Sequence, residues 1–228
     1  PMIGFGQGWE KTFSGDGRAF GGSGVQQTTD GGYIVTGCTG FLPDSILSTA
    51  YLLKTNGNGI EQWNKTFSGN GIAGFWGFSA VQQTTDGGYI ITGYTESFVY
   101  AGWDVYLIKT DGNGIEQWSK TFGGTARDAG YSVQQTTDGG YIITGTTIVD
   151  TANGNQDVYL IKTNGNGDSL WTKTFGGTDA DAGYSVQQTT DGGYIICGVN
   201  DFSYPGNVYL IKTDGNGIEQ WNQIFVGW

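Results

Sequence analysis

The sequence predicts an all-β fold, a β-propeller of four blades with four antiparallel strands each, and three observations carry that prediction. A tandem repeat of about 53 residues runs through the whole chain. Every copy holds four short runs rich in Val, Ile, Thr, Tyr and Trp. Glycine-rich strings of the kind that close tight hairpins separate those runs.

The repeat is read from three strings. VQQTTDGGYI begins at Val25, Val81, Val133 and Val186, with spacings of 56, 52 and 53. YLLKT or YLIKT begins at Tyr51, Tyr106, Tyr159 and Tyr209. Trp-x-Lys-Thr-Phe begins at Trp9, Trp63, Trp118 and Trp171, and a degraded fifth copy, Trp-Asn-Gln-Ile-Phe, begins at Trp221. In the third unit the strands are expected over Tyr131 to Thr136, Tyr141 to Thr147, Val158 to Thr163, and Asp168 to Phe175. These runs are too short and too β-branched for helices. Apolar residues on both faces of the third strand, Val158 and Leu160 against Tyr159 and Ile161, suit a sheet packed between two others. Thr-Asp-Gly-Gly joins the first strand to the second, and Asp-Gly-Asn-Gly or Asn-Gly-Asn-Gly joins the third to the fourth. Both supply residues that tolerate positive φ.

The succession Tyr-Leu-Ile-Lys-Thr-Asp-Gly-Asn-Gly, Trp-Ser-Lys-Thr-Phe-Gly-Gly, Val-Gln-Gln-Thr-Thr-Asp-Gly-Gly-Tyr-Ile-Ile-Thr-Gly resembles the propeller repeats of archaeal and bacterial cell-surface proteins. More distantly it is similar to the quinoprotein-like (PQQ-type) propeller repeat. The resemblance covers nearly the whole chain and implies the fold and an extracellular or cell-surface location. No quinone-binding pattern carries over residue by residue, so no cofactor is expected.

Composition narrows the partners. The 228 residues include 43 Gly but only three Pro, which excludes collagen, and the eight Trp, thirteen Tyr and twelve Phe argue against disorder. A formal charge of −11 without any basic cluster speaks against nucleic acid and anionic lipid. No long apolar run predicts membrane insertion. Pro1, Met2, Ile3 and Gly4 show no signal-peptide pattern, so an exported chain would be a processed form.

The chain is expected to be one domain, 1–228, with units of approximately 9–62, 63–117, 118–170 and 171–228 counted from each Trp strand. Four units leave one spare outer strand at the termini, Trp9 to Phe13 or Trp221 to Phe225. In one arrangement the N-terminal strand latches a closed ring beside the last blade, and the C-terminal copy is a further edge strand or a docked tail. In the other, two chains share an eight-bladed ring, or the chain is part of a longer propeller. The degraded C-terminal copy favours a monomer over a homodimer.

Function must be read from departures from the repeat. The variable segments are 40–49, 96–104, 148–157 and 200–207 between second and third strands, and 14–24, 68–80, 123–130 and 176–183 leading into each blade. Blade topology gathers them on one end. They carry Phe20, Phe75, Trp76, Phe98, Tyr100, Trp103, Phe202 and Tyr204, and also Phe41 and Phe78. Aromatic rings gathered on one face suit a protein partner or a sugar ring, whereas rings packed into the loops' own small cores would be structural.

Other residue classes read as scaffold. All eight Lys occupy repeat positions and are expected to lay their stems on apolar surface with the ammonium near a carboxylate or carbonyl. One member of each Gln pair, such as Gln134 and Gln135, is expected to be buried and hydrogen-bonded. With no His, neither a Ser-His-Asp triad nor His-ligated zinc can form, and no catalytic or metal-binding residue is assigned. Asp111, Asn113, Asp214 and Asn216 stand in hairpin turns that lack the full calcium-loop pattern. Asp179, Asp181 and Asp128 form a second acidic group. A carboxylate-based glycoside hydrolase would draw on Asp44, Glu96, Asp104, Asp150, Asp157 or Asp201. Cys38 and Cys197 replace other residues of the repeat and are expected to be buried free thiols.

Overall fold

The computed structural model of the chain describes residues 10–13, 19–39, 49–67, 75–97, 102–150, 154–201 and 206–226. It is all-β, with four antiparallel four-stranded sheets, one per repeat. Blade 1 comprises β1 (Ala19–Gln27), β2 (Tyr33–Thr39), β3 (Thr49–Thr55) and β4 (Glu61–Phe67). Blade 2 comprises β5 (Phe75–Gln83), β6 (Tyr89–Ser97), β7 (Gly102–Thr110) and β8 (Glu116–Phe122). Blade 3 follows with β9 (Asp128–Gln135), β10 (Tyr141–Asp150), β11 (Asn155–Thr163) and β12 (Ser169–Phe175), and blade 4 with β13 (Asp181–Gln188), β14 (Tyr194–Asn200), β15 (Asn207–Thr213) and β16 (Glu219–Phe225). Each sheet is a meander in sequence order, and the first strands pack on one another from blade to blade, which places them innermost. No helix among the described residues is long and apolar enough to cross a membrane.

The core lies between the blades, as the two-sided third strands require. Blade 1 contributes Ile34, Leu52 and Phe67 to one cluster with Val81, Tyr89 and Ile91 of blade 2, and the same positions recur between blades 3 and 4. The outer Trp of blades 1, 2 and 3 edges against the first Tyr of the next blade's second strand. The ring centroids are 5.8 Å apart for Trp63–Tyr89 and Trp118–Tyr141, and 5.9 Å for Trp171–Tyr194.

The repeated polar residues build one latch per blade. In blade 3 Asp138 accepts from the Thr136 hydroxyl and the Gly140 N–H, and it forms an ion pair with Lys162 at 2.9 Å. Lys162 is 3% exposed and also donates to the Thr163 carbonyl at 2.8 Å. Two glycines are obligatory here. Gly139 has a φ of 82°, and a β-carbon on Gly140 would lie 2.1 Å from the Thr163 carbonyl oxygen. In blades 1, 2 and 4 the ammonium gains a further acceptor, Gln62, Gln117 or Gln220, at 3.0, 3.1 and 3.0 Å. Blade 3 has Leu170 at that position. Burial works upward on Asp138, but the Thr136 hydroxyl and Lys162 outweigh it and hold the carboxyl at about 2.

The glutamine pairs join blades rather than filling one. Gln134 Oε1 accepts the N–H of Gln188 at 2.6 Å, and Gln188 Oε1 accepts the N–H of Thr137 at 2.9 Å. The same two bonds recur at the blade 1–2 and 2–3 junctions. Neither Gln of a pair is fully buried; both work at the rim of the junction. Asp168, which departs from the Ile of other copies, accepts from Lys120 of blade 2 at 2.8 Å.

The structure resolves which terminal copy fills the outer slot. β16 pairs with β15 as the fourth strand of blade 4, while residues 10–13 form no strand. The C-terminal copy is therefore neither a further edge strand beside an N-terminal latch nor a docked tail. Adjoining blades among the described residues are 1–2, 2–3 and 3–4, and blade 4 does not pack on blade 1 in the same way.

Candidate functional site

The strands run further toward the variable end than the apolar pattern indicates. β10 reaches Asp150 and pairs it with Asn155, and β9 begins at Asp128. Polar residues in an exposed hairpin arm leave no alternating apolar trace, which hides the extension. Phe20, Phe75, Trp76 and Trp103 consequently lie in strands β1, β5 and β7, not in loops. Phe98, Tyr100, Phe202 and Tyr204 lie outside the described residues, as does Phe41. Trp103 is half-buried: its ring tilts by 32° on Tyr94 at 5.3 Å, and the Arg127 guanidinium lies 4.8 Å over it.

A second aromatic pair lies just outside the variable segments. Each first strand carries a bulge at one repeat position, occupied by Ser23, Ser79, Tyr131 and Tyr184. A bulge places two residues opposite one and re-aims a side chain. In blades 3 and 4 the rings so turned meet, with Tyr131 and Tyr184 at 5.6 Å and 37°. Tyr184 is 51% exposed. Burial, followed by Tyr184 and Tyr94, pushes the Tyr131 phenol up to about 12, so it remains a hydrogen-bond donor across the physiological range. The Ser-to-Tyr change at a fixed repeat position is the signal that marks this pair.

The structure also brings together acids that the sequence places far apart. Asp104 of β7 and Asp128 of β9 reach 2.2 and 2.5 Å from the point where a β-carbon on Gly123 would sit. Asp157 of β11 and Asp181 of β13 do the same at Gly176, at 2.3 and 2.6 Å. Asp128 accepts from the Gly124 N–H, and Asp181 from Gly177, both at 3.2 Å. Asn200 donates to Asp181 at 2.7 Å. Among the described residues Asp157 Oδ1 is buried without a hydrogen-bond partner. Burial raises all four carboxyls, and the facing acid adds to the rise at Asp104 and Asp157.

These four acids and the latch acids respond to pH with opposite sign. A carboxyl whose folded pKa lies above its unfolded value contributes stability that is present below the unfolded pKa and lost as pH rises through the folded one. Asp138 and its counterparts, with lowered values, contribute above the unfolded pKa and lose it as pH falls. Asp157→Asn is therefore expected to raise the thermal midpoint at pH 7 and to have no effect near pH 3, where wild type is protonated. Differential scanning calorimetry at the two pH values checks this.

The other sequence candidates have local roles. Asp111 and Asp214 accept the N–H groups of their own turns, Asn113 and Ile115 at 2.8 Å in the first case. Asp179 is exposed, and Asp201 takes a positive φ of 61°. Asp44 lies outside the described residues, and only the backbone of Glu96 and Asp150 is described. Among the described residues no group of three or more His, Cys, Asp or Glu could hold a metal ion. Both cysteines are free; Cys38 is half-buried, but Cys197 is exposed, contrary to the expectation of a buried thiol.

No family model matches the chain, and no curated protein matches it. Among solved structures, it is similar to a protein of unknown function from Bacteroides caccae, with 12% identity and a TM-score of 0.39 over 89% of this chain and 81% of that one.

Proposed function

We propose that the chain is a non-enzymatic interaction module, extracellular or on a cell surface, that holds a protein or glycan ligand against the aromatic variable end. The observation that carries this reading is the Tyr131–Tyr184 pair, set by two bulges and left half open to water at Tyr184. An exposed ring with a protonated phenol offers an apolar face for a sugar or side chain and a donor beside it. Trp103 under Arg127 extends the same end toward blade 2. The resemblance of the repeats to those of cell-surface proteins supports the location.

A carboxylate hydrolase has less support. Asp128 and Asp181 are buried and hydrogen-bonded to Gly124 and Gly177. The facing acids converge on a space the size of one methyl group, whereas glycoside cleavage needs carboxyls about 5 to 9.5 Å apart around a sugar. Screening wild type on a glycan array and against surface-protein extracts tests the binding reading. Tyr184→Ala is expected to abolish the signal with the circular dichroism unchanged, and a signal that survives the substitution would count against this end.

A further inference from the structure

Among the described residues blade 4 leaves open the face that blades 1, 2 and 3 bury, and blade 1 leaves open the face that blades 2, 3 and 4 bury. Phe225 is 51% exposed and Val208 50%, whereas their counterparts Phe175 and Val158 belong to the blade 3–4 core. Trp221 lies half open at the place where Trp171 edges against Tyr194. Cys197 is exposed where Thr36, Thr92 and Thr144 are fully buried. On the opposite face Val25 is 69% exposed, while Val81, Val133 and Val186 are in the core. Gly22 is exposed, while Gly130 and Gly183, which pack on Thr92 and Thr144, are buried.

The polar stitches stop at the same place. Gln187 is the counterpart of Gln134, and Gln27 of Gln188, the two residues that bond across the blade 3–4 junction. Both Gln187 and Gln27 are exposed. Each half of the interface that joins blades within the chain is thus present at one end, with its apolar residues and its glutamine in register.

We infer that blade 4 of one copy docks on blade 1 of a second copy, head to tail, and that two such seams close an eight-bladed ring of two chains. A second copy of these 228 residues offers each open face its complement, since the two faces are the two sides of an interface this chain already makes three times within itself. Head-to-tail contacts either close or run on, and eight blades fall within the range of about 4 to 8 seen in propellers. The apolar seam residues are uncharged, so the net charge of −11 on each copy opposes association only at long range, and added salt strengthens it. This inference stands apart from the ligand-binding reading, since the seam and the Tyr131–Tyr184 end use different residues.

Light scattering across a concentration series tests it. Wild type is expected to approach twice the 24.3 kDa chain mass as concentration rises. Val25→Glu and Phe225→Glu change exposed residues, and circular dichroism checks that each variant folds. Each alone should be monomeric. Mixed together they should form a dimer, because one retains a sound blade 4 face and the other a sound blade 1 face. Labelling of Cys197 by a maleimide, located by mass spectrometry, should slow as the dimer forms. A wild type that stays monomeric at every concentration overturns the inference. So does a dimeric Val25→Glu, which would indicate symmetric pairing of two β16 edges, or a ladder of larger masses, which would exclude ring closure.

Discussion

Gly145→Ala is expected to destabilise the protein by about 3–5 kcal/mol, in the range reserved for single substitutions that break a defined feature of the core. Gly145 lies in β10 opposite the bulge at Tyr131, where Gly130 is its partner. A β-carbon there would stand 1.8 Å from the Ala129 carbonyl oxygen and 2.8 Å from its carbon. Neither atom can retreat, because β9 is held between β10 and the inner strands of neighbouring blades. Gly198 repeats the arrangement in blade 4, at 1.9 Å from the Ala182 oxygen. Gly124→Ala supplies the control: its added carbon meets nothing within 4 Å, so urea unfolding should give a midpoint close to wild type. Equal midpoints for the two variants would mean that the bulge does not require glycine.

Asp138→Ala should cost about 2–3 kcal/mol, below the 3–5 of a fully buried pair because its carboxylate side is solvated. Removing the carboxylate leaves the Lys162 ammonium, 3% exposed, with the Thr163 carbonyl as its remaining acceptor among the described residues. Asp86→Ala should cost less. There Lys109 keeps both the Thr110 carbonyl, at 2.9 Å, and Gln117, at 3.1 Å. Lowering the pH should erase both effects, since the wild-type latch is lost once Asp138 and Asp86, each held at about 2, are protonated. Denaturant midpoints of the two variants at neutral and acid pH check the order and the pH dependence.

Residues repeated in every copy were legible in the sequence because a backbone turn and a buried ammonium each demand one chemistry. Thr-Asp-Gly-Gly marked its hairpin, and the third-strand Lys marked a stem buried with its charge met. The functions of the Gln pairs were legible only in part. Their hydrogen bonds join residues about one repeat apart, and nothing within a single copy indicates that they reach the next blade.

The unread features are those in which two blades meet or two residues oppose one. The bulge at Tyr131 leaves one trace, the glycine across from it, and glycine is too common here to stand out. Asp104 faces Asp128 only because a third strand of one blade packs beside the first strand of the next. The terminal strand was undecided because Trp9 to Phe13 and Trp221 to Phe225 carry the same pattern. The short turn from Asp214 to Ile218 settles it: a local hairpin closes at a smaller entropic cost than pairing the two ends of the chain.

The central claim is that the repeated residues are scaffold and that binding resides in the departures from them. Tyr131→Ser combined with Tyr184→Ser tests it most directly, since it restores the serine that blades 1 and 2 carry at the same bulge, Ser23 and Ser79. Measured together by circular dichroism and on the glycan and surface-protein screens, the double variant is predicted to keep its sheets and lose its ligand. Retained binding, or loss of the sheets, would contradict the account.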